Sequence, residues 1–153
     1  MIDSRPDPKP GSPPADRRPG NLPVAIPFIE AMGVELTAIG DGRATAVMTP
    51  RPEHMNSWAV VHGGVMMTLL DFVMAMAGRS AHPELADAAA GDGGNLTVEM
   101  KTTFIRPGKG RLTIKGLCVH AGRSLSFCES EIVDDEGQIL ARASGTFKFW
   151  SKR

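Results

Sequence analysis

A short stretch between positions 56 and 71 holds the residues with the clearest chemical potential. Asn56 is followed after six residues by His62-Gly63-Gly64, and Asp71 lies eight residues beyond Gly63. The run Val65–Ala77 around Asp71 contains only one other polar residue, a threonine. A helix that is apolar on nearly every face packs inside a fold, where a lone carboxylate is costly unless it is paired or used. Asp71 is therefore the first candidate for a functional residue.

The paired glycines could hold a carbonyl group at a helix N-terminus. The first N–H groups of a helix have no intrahelical partner and carry the positive end of the dipole, and glycine lets a ligand approach them closely. Such a site could thus polarise a carbonyl and stabilise the oxyanion formed when it is attacked. The simpler interpretation is that the glycines only permit a tight turn into the helix, with His62 hydrogen-bonded in the loop.

The spacing between the glycines and Asp71 constrains any shared site. Eight residues of helix separate the two by about 12 Å, at about 1.5 Å per residue. Reacting atoms must come within roughly 3–3.5 Å, so Asp71 cannot attack a carbonyl held at its own helix N-terminus. Either the two features are unrelated, with Asp71 satisfied by neighbouring donors, or Asp71 serves the helix N-terminus of a second subunit in a two-fold dimer.

Two further polar residues and four apolar ones complete the candidate site. Asn56 could hold a water or a carbonyl through its amide, although asparagine is also typical of turns. Thr97, on a predicted strand, could add a hydroxyl. Large apolar side chains that could line a pocket, or simply pack in the core, are Trp58, Met66, Met67 and Phe72.

The remaining pattern predicts the elements that position these residues. A short helix at 27–32 ends at Gly33, and the Gly40-Asp41-Gly42 turn joins strands at 34–39 and 43–48. The apolar helix starts at the glycine pair and runs to about Ala77, where Gly78 is expected to stop it. A surface excursion at 79–94, with a short helix near 83–86, is expected to follow.

The C-terminal third predicts four strands separated by turn residues, at 96–105, 112–120, 125–133 and 139–150. In the first of them, Leu96, Val98, Met100, Thr102 and Phe104 are expected to share one face. An antiparallel sheet curled around the central helix explains why that helix is apolar all round. The sequence therefore predicts an α+β fold.

Composition limits which binding partners and which domain organisation can be expected. Seventeen Lys and Arg balance seventeen Asp and Glu, which gives no electrostatic case for nucleic acid or an anionic membrane. The proline-rich segment 1–21 is expected to be a disordered tail, and 22–153 a single domain. Cys118 and Cys128 are expected to be free, buried thiols. We see no apolar signal segment and no run long enough to span a bilayer, so we expect a cytoplasmic protein.

These motifs together resemble one known family. The spacing of Asn56, His62-Gly63-Gly64 and Asp71 is similar to that of the phenylacetate-pathway (PaaI-type) acyl-CoA thioesterases, which have the hotdog fold. The resemblance covers roughly residues 28–149. It continues in Leu96–Met100, Phe104–Pro107, His120–Leu125 and Asp135–Gly137. The combination is specific, whereas any one of these motifs alone would be weak.

The resemblance implies a role for each candidate residue. Asp71 would be the nucleophile or general base across a dimer interface, Asn56 would position the water or the thioester, and the Gly63 N–H would polarise the carbonyl. His62 would support that geometry, and Thr97 would help to orient water. The residues expected to contact the pantetheine and phosphates of coenzyme A are Arg106, Lys109, Arg123 and Ser124. The resemblance implies no metal or redox cofactor, and it implies a homodimer or homotetramer.

Two other functions remain open at this point. A hotdog hydratase or dehydratase would use a histidine–acid pair on an acyl thioester, and no His-x4-Pro-x3-Gly element is present. A non-catalytic acyl-CoA binding protein would bind the thioester without releasing thiol. The loss or gain of an enoyl thioester, and saturable binding without hydrolysis, would distinguish these functions from a thioesterase.

Overall fold

The computed structural model describes residues 25–86 and 92–151, so the predicted tail and residues 87–91 of the predicted excursion lie outside the described residues. The helices are α1 (Pro27–Ala31), α2 (Gly63–Ser80) and α3 (Pro83–Ala86), with a 3₁₀ turn at Pro52–His54. The strands are β1 (Glu35–Gly40), β2 (Arg43–Met48), β3 (Gly93–Phe104), β4 (Leu112–Ala121), β5 (Leu125–Val133) and β6 (Ile139–Ser151). Every predicted element is present.

The six strands form one antiparallel sheet in the order β1-β2-β4-β5-β6-β3. The sheet curls around α2, which packs mainly on β4 and β5. The core between them consists of fully buried side chains from both layers, among them Leu69, Leu70, Val73, Met74, Ile114, Ile132 and Phe147. This arrangement confirms the predicted hotdog fold. None of the helices in the described ranges is both long and apolar enough to cross a membrane.

Two glycines have roles that follow from their conformation and contacts. Asp41 and Gly42, at the tip of the β1–β2 hairpin, both have positive φ (51° and 73°), as a two-residue type I′ turn requires. Gly116 on β4 lies directly under α2, where a Cβ atom would be 2.4 Å from the Val73 carbonyl oxygen. The absence of a side chain at Gly116 therefore lets the helix backbone approach the sheet.

The prediction that Gly78 stops α2 is wrong. The helix continues to Ser80, and Gly78 is buried within it. A Cβ atom at this position would lie 2.7 Å from Asn95 Nδ2 and 3.4 Å from Cys128 Sγ. A glycine is therefore needed here because side chains of β3 and β5 pack against the helix at this position, and not because the helix ends.

The prediction of a surface excursion at 79–94 is also wrong where the structure describes it. Arg79, His82 and Leu85 are all buried, and β3 starts at Gly93, inside the predicted excursion. The short helix near 83–86 is confirmed as α3. It follows α2 after two residues and packs against it.

A β-bulge in β3 reverses the predicted alternation of its side chains. The register against β6 shifts immediately after Thr97, so Val98 is the extra residue. Met100 is partly buried against the core, as predicted. Leu96 and Val98 are 59% and 58% exposed, so the predicted apolar face is wrong for these two residues. Thr97 faces α2 instead.

Gly116→Ala tests how closely α2 packs on the sheet. Because the new Cβ would collide with helix backbone, which has little freedom to move, we expect the free energy of unfolding to fall by about 3 kcal/mol. The matched control is Gly94→Ala in β3, where a Cβ meets no atom within 4 Å. Urea denaturation of the three proteins gives the comparison, and equal losses at both positions would contradict the packing argument.

Candidate active site

Asp71 lies on a stripe of α2 that the chain leaves at least partly uncovered. The residues of this stripe follow the repeat of one helix face and are all exposed or half-buried: Gly64, Met67, Thr68, Asp71 and Ala75. Thr97 Oγ1 donates a hydrogen bond of 2.8 Å to Asp71 Oδ1. Within residues 25–86 and 92–151, no donor is bonded to Oδ2. One carboxylate oxygen is thus held in place while the other is available to a ligand.

The bulge in β3 is what makes the Asp71–Thr97 pair possible. With strict alternation along the strand, Thr97 would face away from Met100 and from α2. The extra residue Val98 turns Thr97 to the same side as Met100. Bulges often redirect side chains next to functional sites in this way.

At the N-terminus of α2, one backbone N–H is left for a ligand. His62 caps the helix, because its Nδ1 accepts a hydrogen bond of 2.9 Å from the Gly64 N–H. The His62 carbonyl accepts the N–H groups of Val65 and Met66. In the described part of the chain, the Gly63 N–H has no acceptor. The ring of Phe104 lies 3.4 Å from the point where a Gly63 Cβ would be.

His62 itself is not arranged as a catalytic base. Its Nδ1 lone pair is occupied by Gly64, and its backbone N–H donates to the His54 carbonyl at 2.9 Å. His54 is buried, and its Nδ1 accepts from the Arg51 N–H. The two histidines therefore fix the loop that leads into the helix, which agrees with a supporting role for His62.

Asn56 organises the loop that precedes the helix. Its Oδ1 accepts hydrogen bonds from the backbone N–H groups of Trp58 (2.9 Å) and Val60 (3.4 Å). Ala59, in the same loop, has a positive φ of 54°, a conformation that is rare for residues with a side chain. With Oδ1 engaged, the Nδ2 group of Asn56 is the part that remains for a ligand. Trp58 at the loop tip is 80% exposed.

The structure brings the candidate catalytic residues together in two groups. Asp71 and Thr97 form one, and Asn56, His62 and Gly63 form the other at the N-terminus of α2. The separation of the groups along the helix is about 12 Å. A single chain therefore does not assemble one site from all five residues.

The residues expected to contact coenzyme A also fall into two groups. Arg106 and Lys109 lie in the β3–β4 loop near the N-terminus of α2, and Arg106 donates to the Ile139 carbonyl at 2.8 Å. Arg123 and Ser124 form the β4–β5 turn at the other end of β4, about 30 Å away at roughly 3.3 Å per strand residue. All four are exposed.

A cavity of about 440 Å³ adjoins Asp71. It lies between α1, α2 and the start of β3, and its lining residues are Ala25, Ile26, Phe28, Ile29, Thr68, Asp71, Phe72, Ala75, Met76, Arg79, Gly93, Gly94 and Asn95. Of the four predicted pocket residues, only Phe72 lines it. Met66 is buried in the core, whereas Met67 and Trp58 are exposed. Arg79 is buried at the cavity wall, and burial lowers the pKa of its guanidinium.

The sequence did not point to α1 or Asn95 as parts of the site. The apolar run at 26–29 was a signal for a short helix but not for its position over the cavity. Asn95 Nδ2 donates to the Ala75 carbonyl at 3.0 Å, and this contact between β3 and α2 has no local sequence signature. Among the described residues, no three His, Cys, Asp or Glu side chains are grouped as metal ligands would be.

Comparison with known proteins gives consistent matches. The model of the family described as "Thioesterase superfamily" matches residues 59–141. A Mycobacterium tuberculosis protein whose name suggests an esterase is 28% identical over 134 residues, which cover 84% of this chain and 90% of that protein. A conserved protein of Pseudomonas aeruginosa superposes with a TM-score of 0.75 at 26% identity, over 84% of this chain and 97% of its own. The Escherichia coli PaaI protein from the phenylacetic acid degradation operon has a TM-score of 0.71 at 22% identity, over 82% and 85% of the two chains.

The cap on α2 can be tested by stability. His62→Ala removes the acceptor for the Gly64 N–H, so we expect the free energy of unfolding to fall by about 1 kcal/mol. His62→Asn keeps a good N-cap residue and is expected to retain most of the stability. Urea denaturation measures both variants, and a His62→Ala protein as stable as the original would show that the cap contributes nothing.

Proposed function

The chain belongs to the thioesterase superfamily, and from this membership we propose that it is a PaaI-type acyl-CoA thioesterase. The reaction is hydrolysis of a thioester to a free carboxylic acid and coenzyme A, in the cytoplasm, without a metal or redox cofactor. The observation that carries the proposal is the Asp71–Thr97 hydrogen bond at the mouth of a largely apolar cavity. A carboxylate fixed by one oxygen beside an acyl-sized space is what hydrolysis of an acyl thioester requires.

Asp71 acts as the general base or as the nucleophile. As a base, it removes a proton from a water that attacks the thioester carbonyl. The oxyanion that forms is stabilised by the partner's Gly63 N–H, which has no acceptor within the described chain. Asn56 of that partner supplies its Nδ2 group to the carbonyl or the water. When the C–S bond breaks, the thiolate of coenzyme A leaves and takes up the proton.

A dimer is needed because the groups that act together are about 12 Å apart on one rigid helix. Among the strands that the structure describes, β3 forms an edge of the sheet and pairs with β6 alone. Its other side offers a row of backbone groups to a further strand. The uncovered stripe of α2 lies beside this edge. Both features support pairing of β3 with the β3 strand of a second copy about a two-fold axis.

The position of the two-fold axis follows from the site. Along β3, Asp71 lies beside Thr97, to which it is hydrogen-bonded, and Gly63 lies beside the ring of Phe104. To bring Asp71 beside the partner's Gly63, Thr97 must lie opposite the partner's Phe104. Because Val98 is an extra residue, Thr97 and Phe104 are six ladder positions apart on β3, with Lys101 midway between them. In an antiparallel pair this places the axis beside Lys101, opposite the same residue of the second copy.

The same arrangement reunites the residues proposed to bind coenzyme A. Because the partner runs in the opposite direction, its β4–β5 turn comes to the same end of the joined sheet as the β3–β4 loop. Arg106 and Lys109 then lie about 15 Å across the sheet from the partner's Arg123 and the partner's Ser124, at about 4.8 Å per strand. Guanidinium and ammonium groups on both sides suit the phosphates of coenzyme A. We further propose that two such dimers form a homotetramer, as the resemblance to the PaaI-type family implies.

The cavity beside Asp71 favours a bulky apolar acyl group. Its volume of about 440 Å³ lies within the range of ligand pockets, and Phe28, Phe72 and Met76 supply apolar contact area. In the proposed dimer, the partner's loop at 56–60 would lie beside Asp71 and could close the mouth of the cavity. We therefore propose aromatic or medium-chain acyl groups rather than acetyl as substrates.

The first test is a panel of acyl-CoA substrates with detection of free thiol. We expect hydrolysis of benzoyl-, phenylacetyl- or fatty acyl-CoA, and we expect Asp71→Asn to lower kcat by about 10²–10⁴-fold because the base is lost. Asp41→Asn, the same change at the tip of the β1–β2 hairpin, is the control and should leave kcat unchanged. Full activity in Asp71→Ala would refute the mechanism, and saturable binding without thiol release would indicate a binding protein.

The second test asks whether the site is shared between subunits. Asp71→Ala and Asn56→Asp are each expected to be inactive, and the aspartate at 56 keeps the Oδ1 acceptor that shapes the loop. Co-refolding the two variants gives heterodimers with one intact site, so about a quarter of the original activity should return for a two-fold dimer. A mixture of Asp71→Ala with Asp71→Asn is the control and should stay inactive. No recovery in the first mixture, or an active monomer, would place the site within one chain.

A further inference from the structure

Cys118 and Cys128 face each other across two neighbouring strands. They are register partners in the β4–β5 pair. The Cys118 N–H donates to the Gly42 carbonyl at 2.7 Å, which lies on the side of β4 away from β5. The N–H and C=O of a strand residue point to the same neighbour, so Cys118 and Cys128 form a non-hydrogen-bonded pair.

This type of pair has the geometry that a disulfide needs. The Cα atoms of a non-hydrogen-bonded antiparallel pair are roughly 4.5 Å apart, at the short end of the roughly 4.4–6.8 Å found for disulfides. Because the two residues are directly opposite each other, their side chains lie on the same face of the sheet, and the two thiols are close enough to influence each other's pKa. A pair with this spacing can form a disulfide with little movement of the backbone.

The two thiols differ in reactivity. The hydrogen bond from Cys128, together with a second from Ser126, lowers the pKa of the Cys118 thiol. The hydrogen bond to Cys118 and burial both raise the pKa of the Cys128 thiol. Cys118 is half-buried, whereas Cys128 is buried. Cys118 is therefore the thiol that ionises more readily and that an oxidant reaches first.

A buried serine and histidine support the thiolate form of Cys118. The Ser126 hydroxyl lies 2.9 Å from His82 Nε2, and both residues are buried. Burial lowers the pKa of His82, partly opposed by Glu84, so the ring is neutral near pH 7. When Nε2 of the neutral ring carries the proton, it donates to the Ser126 hydroxyl, and the serine proton is then free to be donated to the Cys118 sulfur.

We propose that Cys118 and Cys128 are a redox-active dithiol that hydrogen peroxide converts to a disulfide within the chain. The Cys118 thiolate attacks one peroxide oxygen, the O–O bond breaks, and the departing hydroxide takes up a proton to become water. This leaves a sulfenic acid on Cys118. The Cys128 sulfur then attacks that sulfur, the S–S bond forms, and a second water leaves. The two thiols thereby lose two electrons, which reduce the peroxide.

The test uses the full chain, which contains no other cysteine. The reduced protein is treated with hydrogen peroxide, and remaining thiols are alkylated with N-ethylmaleimide in denaturant before intact-mass measurement. We expect no alkylation and a mass lower by two hydrogens, reversed by dithiothreitol. In Cys128→Ser, the Cys118 sulfenic acid should be trapped by dimedone, while Cys118→Ser should keep an alkylatable Cys128. Two alkylated thiols in the oxidised wild-type protein, or disulfides between chains, would overturn the proposal.

Two further measurements examine the geometry directly. Phenylarsine oxide bridges neighbouring thiols, so the folded, reduced protein should bind one equivalent and each single serine variant none; no binding to the wild-type protein would overturn the proposed pair. Ser126→Ala should form the disulfide several-fold more slowly. Ser130→Ala is the matched control, because Ser130 is buried on the same strand and its hydroxyl has no partner in the described chain. Equal rates in these two variants would contradict the role of Ser126.

Discussion

The packing of α2 against the curved sheet sets the position of every candidate catalytic residue. Gly116 lets the helix backbone approach β4, and Gly78 lets its last turn approach Asn95 and Cys128. These two close contacts define the position of the helix on the sheet. The Gly63 N–H and the Asp71 carboxylate are therefore held at a fixed separation and a fixed height above β3. Any chemistry that uses both has to respect that separation.

In the loop before α2, His62 supplies the hydrogen-bond acceptors that the first N–H groups of the helix would otherwise lack. Of its first N–H groups, those of Val65 and Met66 are bonded to the His62 carbonyl and that of Gly64 to the His62 ring. His62, the residue that resembles a catalytic base, thus serves as a hydrogen-bond acceptor for backbone N–H groups. Its effect on chemistry is indirect, because it leaves a single N–H, that of Gly63, aimed away from the helix without a partner in the described chain.

The sequence predicted the elements well because their signals are local. Turn residues such as Asp41-Gly42 and the apolar run of α2 specify their own conformations, and the Asn56, Gly63 and Asp71 positions could be picked out from residue type and spacing. Contacts between distant segments were not predictable in this way. Gly78 is indistinguishable in sequence from a helix-stopping glycine until Asn95 is known to press against it. The bulge at Val98 has no signature in an alternating strand, so the orientation of Thr97 toward Asp71 came only from the structure.

The open edge of β3 has a consequence for solubility. An edge with Leu96, Val98 and Phe104 exposed offers a template on which any extended chain can pair, and such edges promote aggregation. The proposed pairing with a second copy about a two-fold axis would use both β3 edges at once, so growth would stop after one step. The outer edges of the joined sheet are then the two β1 strands, each only six residues long. Dimerisation through β3, the strand that carries Thr97, would thus also remove the edge that promotes aggregation.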